Sequence, residues 1–257
     1  MGFFSRNNRI AVQLPQPVQA VAPELQNAQI ASVYSGQRMG GDFYDFLRVS
    51  PDRVVFGLLD AAGHLEGTRE ILMAAQQTFR RLSAELLTGE DINESEAMIE
   101  LCIQLNRTIL QAAEGVHACP AFAGCYNETL GTICYFNAGH TPGLLRDGAG
   151  VLELPATTLP LGLFSHATCD APTVALTPGA VLLLVSRGAL EGKCKGEEFG
   201  LEGVIEVLEA CKSTNAKQLC SNILDGLQQF MCVPPTHDDV TALALVRQAT
   251  KAEAAGA

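Results

Sequence analysis

The order in which hydrophobic patterns change along the chain is the feature that most limits its possible folds. A block of short apolar runs is followed by two stretches with helical spacing, and then by further short runs. Two more helical stretches and one last apolar run complete the order. Strict alternation of strands and helices would predict a doubly wound parallel sheet, whereas blocks of strands separated by helix pairs predict an α+β sandwich.

The predicted strands are apolar runs of about four to eight residues that end at glycine or at other turn signals. They cover residues 28–34, 43–49, 53–60, 121–126, 131–137, 143–146, 151–154, 173–176, 181–186 and 240–246. Apolar stripes with a helical period predict helices at 68–87, 91–113, 201–211 and 216–230. Asp91, with Glu94 three residues later, is predicted to cap the second helix.

The chain is predicted to hold one domain, because no internal repeat or Gly/Ser-rich linker divides it. Residues 1–25 are rich in Gln, Pro and Ala and are interpreted as a lead-in segment. The domain is predicted to cover residues 26–248, and residues 249–257 to form a C-terminal tail.

Composition excludes several classes of function. Hydrophobic residues make up 47% of the chain and charged residues 18%, which allows a large core. A net charge of −11 without any Lys/Arg run argues against nucleic-acid and membrane partners. The chain shows no secretory signal pattern, and its nine cysteines contain no C-x-x-C pair. Buried, reduced thiols in a cytoplasmic protein are therefore expected.

Three segments place an aspartate where a predicted strand meets a small or polar turn. They are residues 40–42 (Gly-Gly-Asp), 59–64 (Leu-Asp-Ala-Ala-Gly-His) and 237–241 (His-Asp-Asp-Val-Thr). Carboxylates with small neighbours suit hard divalent ions, because several oxygen ligands can converge there. Each segment alone is typical of a turn, so the indication comes from their joint occurrence.

These segments belong to a longer series of boxes that resembles the PPM phosphatases, in particular the SpoIIE/RsbU-like bacterial serine phosphatases. Residues 39–46 resemble V-G-G-D-F-Y-D-F, residues 59–64 resemble D-V-S-G-H-G, and residues 135–142 resemble Y-x-N-A-G-H-x-P. Residues 159–162 resemble a P-L-G box, residues 186–191 stand in the place of T-D-G-V-T-E, and residues 238–241 resemble D-D-I-T.

The resemblance implies a four-layer α-β-β-α sandwich of two antiparallel sheets. It also implies two Mn²⁺ or Mg²⁺ ions and a metal-activated water that attacks a phosphoserine or phosphothreonine. Carried over to this chain, Asp60 would bridge both ions and the carbonyl of Ala61 would bind one. Asp238 would bind the other ion, and Asp42 would support the cluster. Asp42 and Asp60 are thus the expected catalytic residues, and Asp42, Asp60, Ala61 and Asp238 the expected metal site.

Two positions depart from the family pattern. Arg187 stands where the T-D-G box has a metal-binding aspartate, and Leu65 replaces the last glycine of G-H-G. One unit-charge pair at 4 Å and an effective dielectric near 20 is worth roughly 4 kcal/mol, so an inward Arg187 would oppose a second ion. We expect either that Arg187 pairs with Asp238 or that it points to solvent, and at most one well-ordered ion.

Two functions are compatible with these motifs. One is a metal-dependent serine/threonine phosphatase of a small phosphorylated regulator, such as an anti-sigma-factor antagonist in sigma-factor regulation. The alternative, favoured by Arg187, is a pseudophosphatase that binds the same kind of partner without turnover. Retention of Asp42, Asp60 and Asp238 favours the enzyme, because clustered carboxylates are costly unless they are paired or metal-bound.

The histidines have simpler interpretations than metal binding. His64 and His140 lie in motifs whose histidines belong to turns in this family, so a turn role is expected for both. His237 is interpreted as an exposed neighbour of Asp238 rather than as a general acid.

Overall fold

In a computed structural model of the chain, residues 20–36, 41–61, 65–232 and 239–249 are described, with backbone alone at 65–67. The strands of this part of the chain are β1 (Ala28–Ser35), β2 (Gly41–Arg48), β3 (Arg53–Ala61), β4 (Ala121–Asn127), β5 (Thr132–Ala138), β6 (Gly143–Asp147), β7 (Gly150–Leu154), β8 (Thr173–Ala175), β9 (Val181–Val185), β10 (Lys193–Cys194), β11 (Glu197–Glu198) and β12 (Val240–Arg247). The helices are α1 (Leu65–Leu86), α2 (Glu94–Ala112), α3 (Gly200–Ala210) and α4 (Ala216–Phe230), and a 3-10 turn covers Arg187–Ala189.

The strands of the described residues form two five-stranded sheets and one small hairpin. The first sheet has the order β1-β12-β9-β6-β7, the second has the order β2-β3-β4-β5-β8, and β10 pairs with β11. Every strand pair is antiparallel. Because β12 lies between β1 and β9, the first and last strands of the described residues are neighbours in the first sheet.

Three hydrophobic clusters separate four layers. One lies between α1, α2 and the second sheet, and another between α3, α4 and the first sheet. The third contains Ile30 and Leu243 of the first sheet together with Phe56 and Phe122 of the second, so the two sheets pack face to face. This arrangement confirms the predicted α-β-β-α sandwich. The predicted limits of the domain, residues 26–248, stay a prediction, and residues 1–19 and 250–257 lie outside the described part.

Strand β9 shows why several strands are continuously apolar rather than alternating. All of its residues are buried. Leu182 and Leu184 face the cluster between the sheets, whereas Leu183 and Val185 face the cluster below α3 and α4. Successive side chains of a strand point to opposite faces, so a strand covered on both faces needs apolar residues throughout.

Helix α2 begins differently from the prediction. Its N-cap is Asn93, whose Oδ1 accepts a hydrogen bond of 3.3 Å from the N–H of Glu96, rather than the predicted Asp91. Glu94 is drawn away from a capping role, because its Oε1 accepts hydrogen bonds from Arg53 Nε at 2.7 Å and Asn127 Nδ2 at 2.9 Å. Tertiary contacts therefore decide the use of the acidic side chain that sequence spacing assigned to the cap.

A buried ion pair joins β2 to α1. Arg80 donates from Nε to Asp45 Oδ2 at 2.6 Å and from Nη2 to Asp45 Oδ1 at 2.7 Å. Asp45 also accepts from Gln76 Nε2 at 3.2 Å and from the N–H of Phe46 at 2.9 Å. The Asp45 side chain is 1% exposed and that of Arg80 is 33% exposed. Because both of its carboxylate oxygens accept hydrogen bonds, Asp45 fixes α1 against the strand that also carries Asp42.

The expectation of reduced thiols alone was wrong for one pair. Cys194 on β10 and Cys232 after α4 are joined by a disulfide, with Cα atoms 4.9 Å apart. They are 38 residues apart in sequence, and no local spacing motif indicates such a pair. The other cysteines are free, and all of them are buried except Cys169, which is half-buried. None of the described helices is long and apolar enough to cross a membrane.

Candidate functional site

Asp42 and Asp60 lie directly opposite each other on neighbouring strands. They are Cα partners in the antiparallel ladder of β2 and β3. Residues opposite each other in such a ladder project from the same face of the sheet, with Cβ atoms about 5 Å apart. The strand pairing therefore brings together two carboxylates that are separated by a whole hairpin in sequence.

Strand parity shows which face they occupy. Leu58 lies in the cluster between the sheets, whereas Leu59 and Ala61 belong to the cluster below the helices. Because side chains alternate along a strand, Asp60 projects on the same side as Leu58, towards the first sheet. The two carboxylates thus lie at the end of the space between the sheets, where the apolar cluster stops.

The first sheet supplies hydroxyl groups to this end of the molecule. Thr241 of β12 donates from Oγ1 to Asp42 Oδ2 at 2.8 Å. Ser186, next after β9, accepts the N–H of Thr241 at its Oγ, 2.9 Å away, and its Oγ lies 3.5 Å from the carbonyl oxygen of Asp239. Both Ser186 and Thr241 are completely buried. Asp42 is therefore held by the hydroxyl group of Thr241 from the opposite sheet, and Ser186 supports Thr241.

Asp42 is half-buried and lies close to other acids. Burial raises the pKa of Asp42 to about 7, the charges of Asp60 and Asp239 add to the rise, and hydrogen bonds from Ser186 and Thr241 oppose it. A carboxylate in this setting is costly to ionise without a cation nearby. The electrostatics of the site therefore favour a positively charged partner.

Asp239 approaches the site through a gap left by Gly36. A Cβ atom at Gly36 would lie 2.3 Å from Asp239 Oδ1 and 3.0 Å from Asp239 Cα, so a larger residue would push the aspartate away. Asp239 is 7% exposed and contributes to the field at Asp42. A glycine at the end of β1 thus permits a third acidic residue to pack close to the pair.

A cavity of about 160 Å³ opens beside Asp60. The described residues that line it come from four segments and are Asp60, Ala118, Pro120, Gly139, His140, Thr141 and Arg187. Asp60 is tied to its wall, because its N–H donates to the carbonyl of Pro120 at 2.8 Å. The cavity has the size of a small anionic group rather than of a large organic ligand.

His140 forms part of a buried turn at this cavity. Its N–H donates to Asn137 Oδ1 at 2.8 Å, and its Nδ1 lies 3.1 Å from the carbonyl oxygen of Thr141. A carbonyl can only accept, so Nδ1 carries the proton and Nε2 of the neutral ring does not. Burial lowers the pKa of His140 to about 4. These contacts are those of the turn residue that the sequence predicted.

Gly139 has a positive φ of 65°, and a Cβ there would lie 2.5 Å from Pro160 Cγ. The turn after β5 and the loop that carries the P-L-G box therefore pack together, so two boxes distant in sequence lie side by side. Asn137 secures the turn further, since its Nδ2 donates to the carbonyl of Leu154 at 3.2 Å.

Arg187 lies at the mouth of the cavity. It begins the 3-10 turn after β9, its side chain is 62% exposed, and its Nε is 3.3 Å from Glu191 Oε1. The Arg187 side chain is thus largely exposed. Its expected alternative, pairing with Asp238, involves a residue outside the described part of the chain and stays a prediction.

Some of the other residues discussed for the site lie within the described part of the chain, and some lie outside it. Ala61 follows Asp60 and ends β3, opposite Gly41, so its position next to the pair is as expected. Asp238, His64 and His237 lie outside the described residues. Leu65 begins α1, directly after the segment that holds His64.

Ser186 and Thr241 were missed as site residues, and Asp239 was not assigned a role. The signal that could have found them is their place inside the motif boxes, next to Arg187 and Asp238. Their contribution is to hold Asp42 from the facing sheet, and sequence spacing does not show which strands face each other.

A scan against protein-family models matches stage II sporulation protein E (SpoIIE) over residues 50–248. That range covers well over half of the chain. The chain belongs to the SpoIIE family. This membership confirms the resemblance drawn from the motif boxes and places the chain in the SpoIIE/RsbU-like branch of the PPM phosphatase family.

Two curated relatives support the family assignment. Protein IcfG of Synechocystis sp. is 24% identical over 252 residues, covering 88% of this chain and 39% of the relative. Phosphoserine phosphatase RsbP of Bacillus subtilis is 26% identical over 194 residues, covering 73% of this chain and 47% of the relative. The SpoIIE-family chain therefore spans less than half the length of these relatives.

Solved structures show the same fold. The RsbU and RsbW domains of Rv1364c from Mycobacterium tuberculosis give a TM-score of 0.73 at 23% identity, over 90% of this chain and 63% of that chain. The SiaA-PP2C domain of Pseudomonas aeruginosa gives a TM-score of 0.70 at 20% identity, over 86% of both chains. RsbX, whose solved structure contains magnesium, gives 0.59 at 11% identity, over 90% of this chain and all of RsbX.

The donor set of the site fits a hard divalent ion. Asp42, Asp60 and the carbonyl of Ala61 offer oxygen atoms, which Mg²⁺ and Mn²⁺ prefer. No group of three His, Cys, Asp or Glu side chains within the described part of the chain could hold an ion by itself. To hold an ion, Asp42 and Asp60 therefore need further oxygen ligands, from the backbone, from water or from another carboxylate such as Asp238.

Proposed function

We propose that this chain is a metal-dependent serine/threonine phosphoprotein phosphatase that acts on a small phosphorylated regulatory protein. The cross-strand pair of Asp42 and Asp60 carries the proposal. Asp42 is half-buried, its pKa is raised by burial and by Asp60, and its strand partner Asp60 lines a cavity. Two neighbouring carboxylates in this setting favour a bound cation.

The proposed metal ligands follow from this arrangement. The Asp60 carboxylate and the Ala61 carbonyl would hold one Mn²⁺ or Mg²⁺ ion strongly, with Asp42 supporting them directly or through water. Asp238 would serve a second position, which the charge of Arg187 weakens. We therefore expect at most one well-ordered ion in the wild-type protein.

The chain's own groups orient and confine the reaction. A bound divalent ion supplies an activated water and neutralises charge on the phosphoryl oxygens. Thr241 keeps Asp42 in one orientation by a hydrogen bond from the opposite sheet, and Ser186 Oγ accepts the N–H of Thr241. The turn at His140 remains neutral at pH 7 and closes one side of the cavity, leaving Arg187 as the cation among the described residues that line it.

The size of the cavity favours a protein substrate that inserts only its phosphorylated side chain. The relative RsbP is a phosphoserine phosphatase, which supports phosphoserine as the first substrate to test. By the motif resemblance, the partner would be an anti-sigma-factor antagonist in signal transduction that regulates a sigma factor. A net charge of −11 without a Lys/Arg run argues against nucleic-acid and membrane partners.

Arg187 supports a second candidate function, a pseudophosphatase that binds the same partner without turnover. A cation at the place of a metal-binding aspartate opposes a second ion, and two-ion chemistry would then fail. In this alternative the cleft would still accept the phosphorylated partner, and the acidic pair would be occupied by one ion or none.

A manganese titration combined with a phosphatase assay separates the candidates. We expect saturable Mn²⁺ binding by calorimetry and Mn²⁺-dependent hydrolysis of a phosphoserine peptide. The variant Asp60→Asn should lose both, whereas Asp225→Asn, at an exposed position on α4, should keep both. Mn²⁺ binding without hydrolysis would select the pseudophosphatase. A protein that neither binds Mn²⁺ nor hydrolyses the peptide would contradict the proposal of a metal-dependent site.

A further inference from the structure

The β10–β11 hairpin and the end of α4 form a contact that the proposed chemistry does not use. The carbonyl of Gly192 accepts the N–H of Phe199 at 2.8 Å, and the carbonyl of Leu190 accepts that of Gly200 at 3.0 Å, so residues 190–200 form a closed loop. A Cβ at Gly192 would lie 2.4 Å from Leu227 Cδ1 and 3.3 Å from Met231 Cγ. The base of the loop therefore packs closely on the last turn of α4.

Cys194 and Cys232 lie at this contact. Their Cα atoms are 4.9 Å apart, within the usual range of about 4.4–6.8 Å for a disulfide. Cys194 is half-buried and Cys232 is exposed, so small reagents can reach the pair. The contact between hairpin and helix thus brings the two cysteines within disulfide distance of each other.

Three of the other cysteines are buried and poorly reactive, whereas Cys169 is half-buried. Burial raises the pKa of Cys119 and that of Cys220 to about 12, and burial also raises that of Cys134, to about 11. Thiolates rather than thiols react with disulfides, so these buried sulfur atoms are protected from exchange. The Cys194–Cys232 pair, one of whose residues is exposed, is therefore more open to exchange than these three thiols.

We infer that Cys194 and Cys232 form a reversible oxidation site, whose oxidised state fastens the β10–β11 hairpin to the end of α4. The chemical partner is a small or protein disulfide, such as oxidised glutathione. In a reducing compartment such a pair is a redox-sensing feature rather than a permanent link.

Disulfide exchange with oxidised glutathione takes place in two steps. The thiolate of one cysteine attacks a sulfur of oxidised glutathione, forms a mixed disulfide and releases one glutathione thiolate. The second cysteine thiolate then attacks the protein sulfur of the mixed disulfide and releases the other glutathione thiolate. The cysteine pair loses two electrons and two protons, and one oxidised glutathione becomes two reduced glutathione molecules.

The hairpin continues directly from the turn that carries Arg187. Arg187 pairs with Glu191, and the next residue, Gly192, begins the contact with α4. Reduction should loosen residues 190–200 and with them one border of the cavity. The inference itself does not depend on phosphatase activity, because its test measures bond formation and backbone protection.

The test equilibrates the full chain in glutathione buffers from fully reduced to fully oxidised, followed by alkylation and peptide mass spectrometry. We expect the Cys194–Cys232 disulfide to rise with the oxidised fraction and to disappear again with excess dithiol. The oxidised chain should melt about 5–10 °C above the reduced one, and amide exchange should slow at residues 190–200.

Two variants complete the test. Cys194→Ser should accumulate a glutathione adduct on Cys232, because the second thiol that resolves it is missing, and should lose the redox-dependent melting shift. Cys169→Ser, which removes a half-buried thiol elsewhere, should behave like the parent. Absence of the Cys194–Cys232 peptide in oxidising buffer, or its persistence in excess dithiol, would overturn the inference, and both results are read on the wild-type chain.

Discussion

Thr241 of one sheet donates its hydroxyl hydrogen to Asp42 of the other, with Oγ1 and Oδ2 2.8 Å apart. Thr241 is completely buried, and its N–H is bound by Ser186, so this hydroxyl has a fixed direction. The contact ties the position of a proposed metal-supporting carboxylate to the packing of the two sheets. The arrangement of the acidic site is thus a consequence of how the sandwich closes.

Thr241→Val should destabilise the protein and disorder Asp42. The substitution keeps the shape of the side chain but removes a hydrogen bond to a charged group, worth about 1.5–3 kcal/mol. Thr241→Ser keeps the hydroxyl and should recover most of that stability. Denaturant unfolding at pH 8, where Asp42 is mostly ionised, measures both variants. A larger loss of unfolding free energy for Thr241→Ser than for Thr241→Val would show that the methyl group, rather than the hydroxyl, stabilises the protein.

The Asp45–Arg80 pair predicts an asymmetry between its two partners. Arg80→Leu leaves a carboxylate that is 1% exposed without its cation, which should cost about 3–5 kcal/mol of unfolding free energy. Asp45→Asn leaves an arginine that is 33% exposed and can be hydrated, so its cost should be smaller.

Arg81→Leu is the matched control for this prediction. Arg81 neighbours Arg80 in α1, but its ion pair with Glu85 is exposed on both sides, at 59% and 55%. Its loss should change stability by less than about 1 kcal/mol. Unfolding in urea compares the variants. A similar effect at Arg80 and Arg81 would contradict the assigned role of the buried pair.

His140 should make the fold sensitive to acid. Its folded pKa of about 4 lies below the ordinary value of 6.5, so the unfolded chain binds a proton first as the pH falls. The stability contributed by the neutral ring is therefore present above pH 6.5 and is lost between pH 6.5 and pH 4, by up to about 3 kcal/mol. His140→Asn should lack this component.

The measurement is the difference in unfolding free energy between parent and His140→Asn at each pH. Other acids titrate in both proteins and largely cancel in the difference. A difference that stays constant between pH 7 and pH 4 would show that His140 is not buried as a neutral ring.

Much of the fold was accessible from the sequence, because apolar runs and helical stripes are long in this chain. The order of the predicted elements indicated the sandwich and its helix pairs, and the motif boxes indicated the family. Strand β9 and helix α4, for example, have clear apolar patterns. The short strands β10 and β11 carry no pattern long enough to detect, and the cap of α2 depended on the tertiary partners of Glu94.

The acidic residues of the site could be predicted from the sequence, but the residues that hold them in place could not. The motifs brought Asp42 and Asp60 to attention, and their opposition across β2 and β3 agrees with that expectation. The hydroxyl groups of Ser186 and Thr241 act from the facing sheet, so their role depends on sheet packing that no local pattern encodes. The Cys194–Cys232 pair was missed for the same reason.

The effect of Arg187 is the central claim, and Arg187→Asp tests it. The substitution removes a cation from the cavity that Asp60 lines and restores the carboxylate of the family box. Second-ion affinity and hydrolysis of an aryl phosphate should both rise. The variant should be less stable than the parent without metal, because carboxylates then repel each other, and should be stabilised more strongly by Mn²⁺.

Arg81→Asp provides the matched control, since Arg81 also pairs with a glutamate four residues later but lies on α1. The decisive measurement is the melting temperature of the parent, Arg187→Asp and Arg81→Asp across a Mn²⁺ titration, with aryl phosphate hydrolysis on the same samples. We predict a larger Mn²⁺-induced shift and faster hydrolysis for Arg187→Asp alone. An Arg187→Asp protein with the parent's shift and the parent's rate would contradict the claim that Arg187 limits this site.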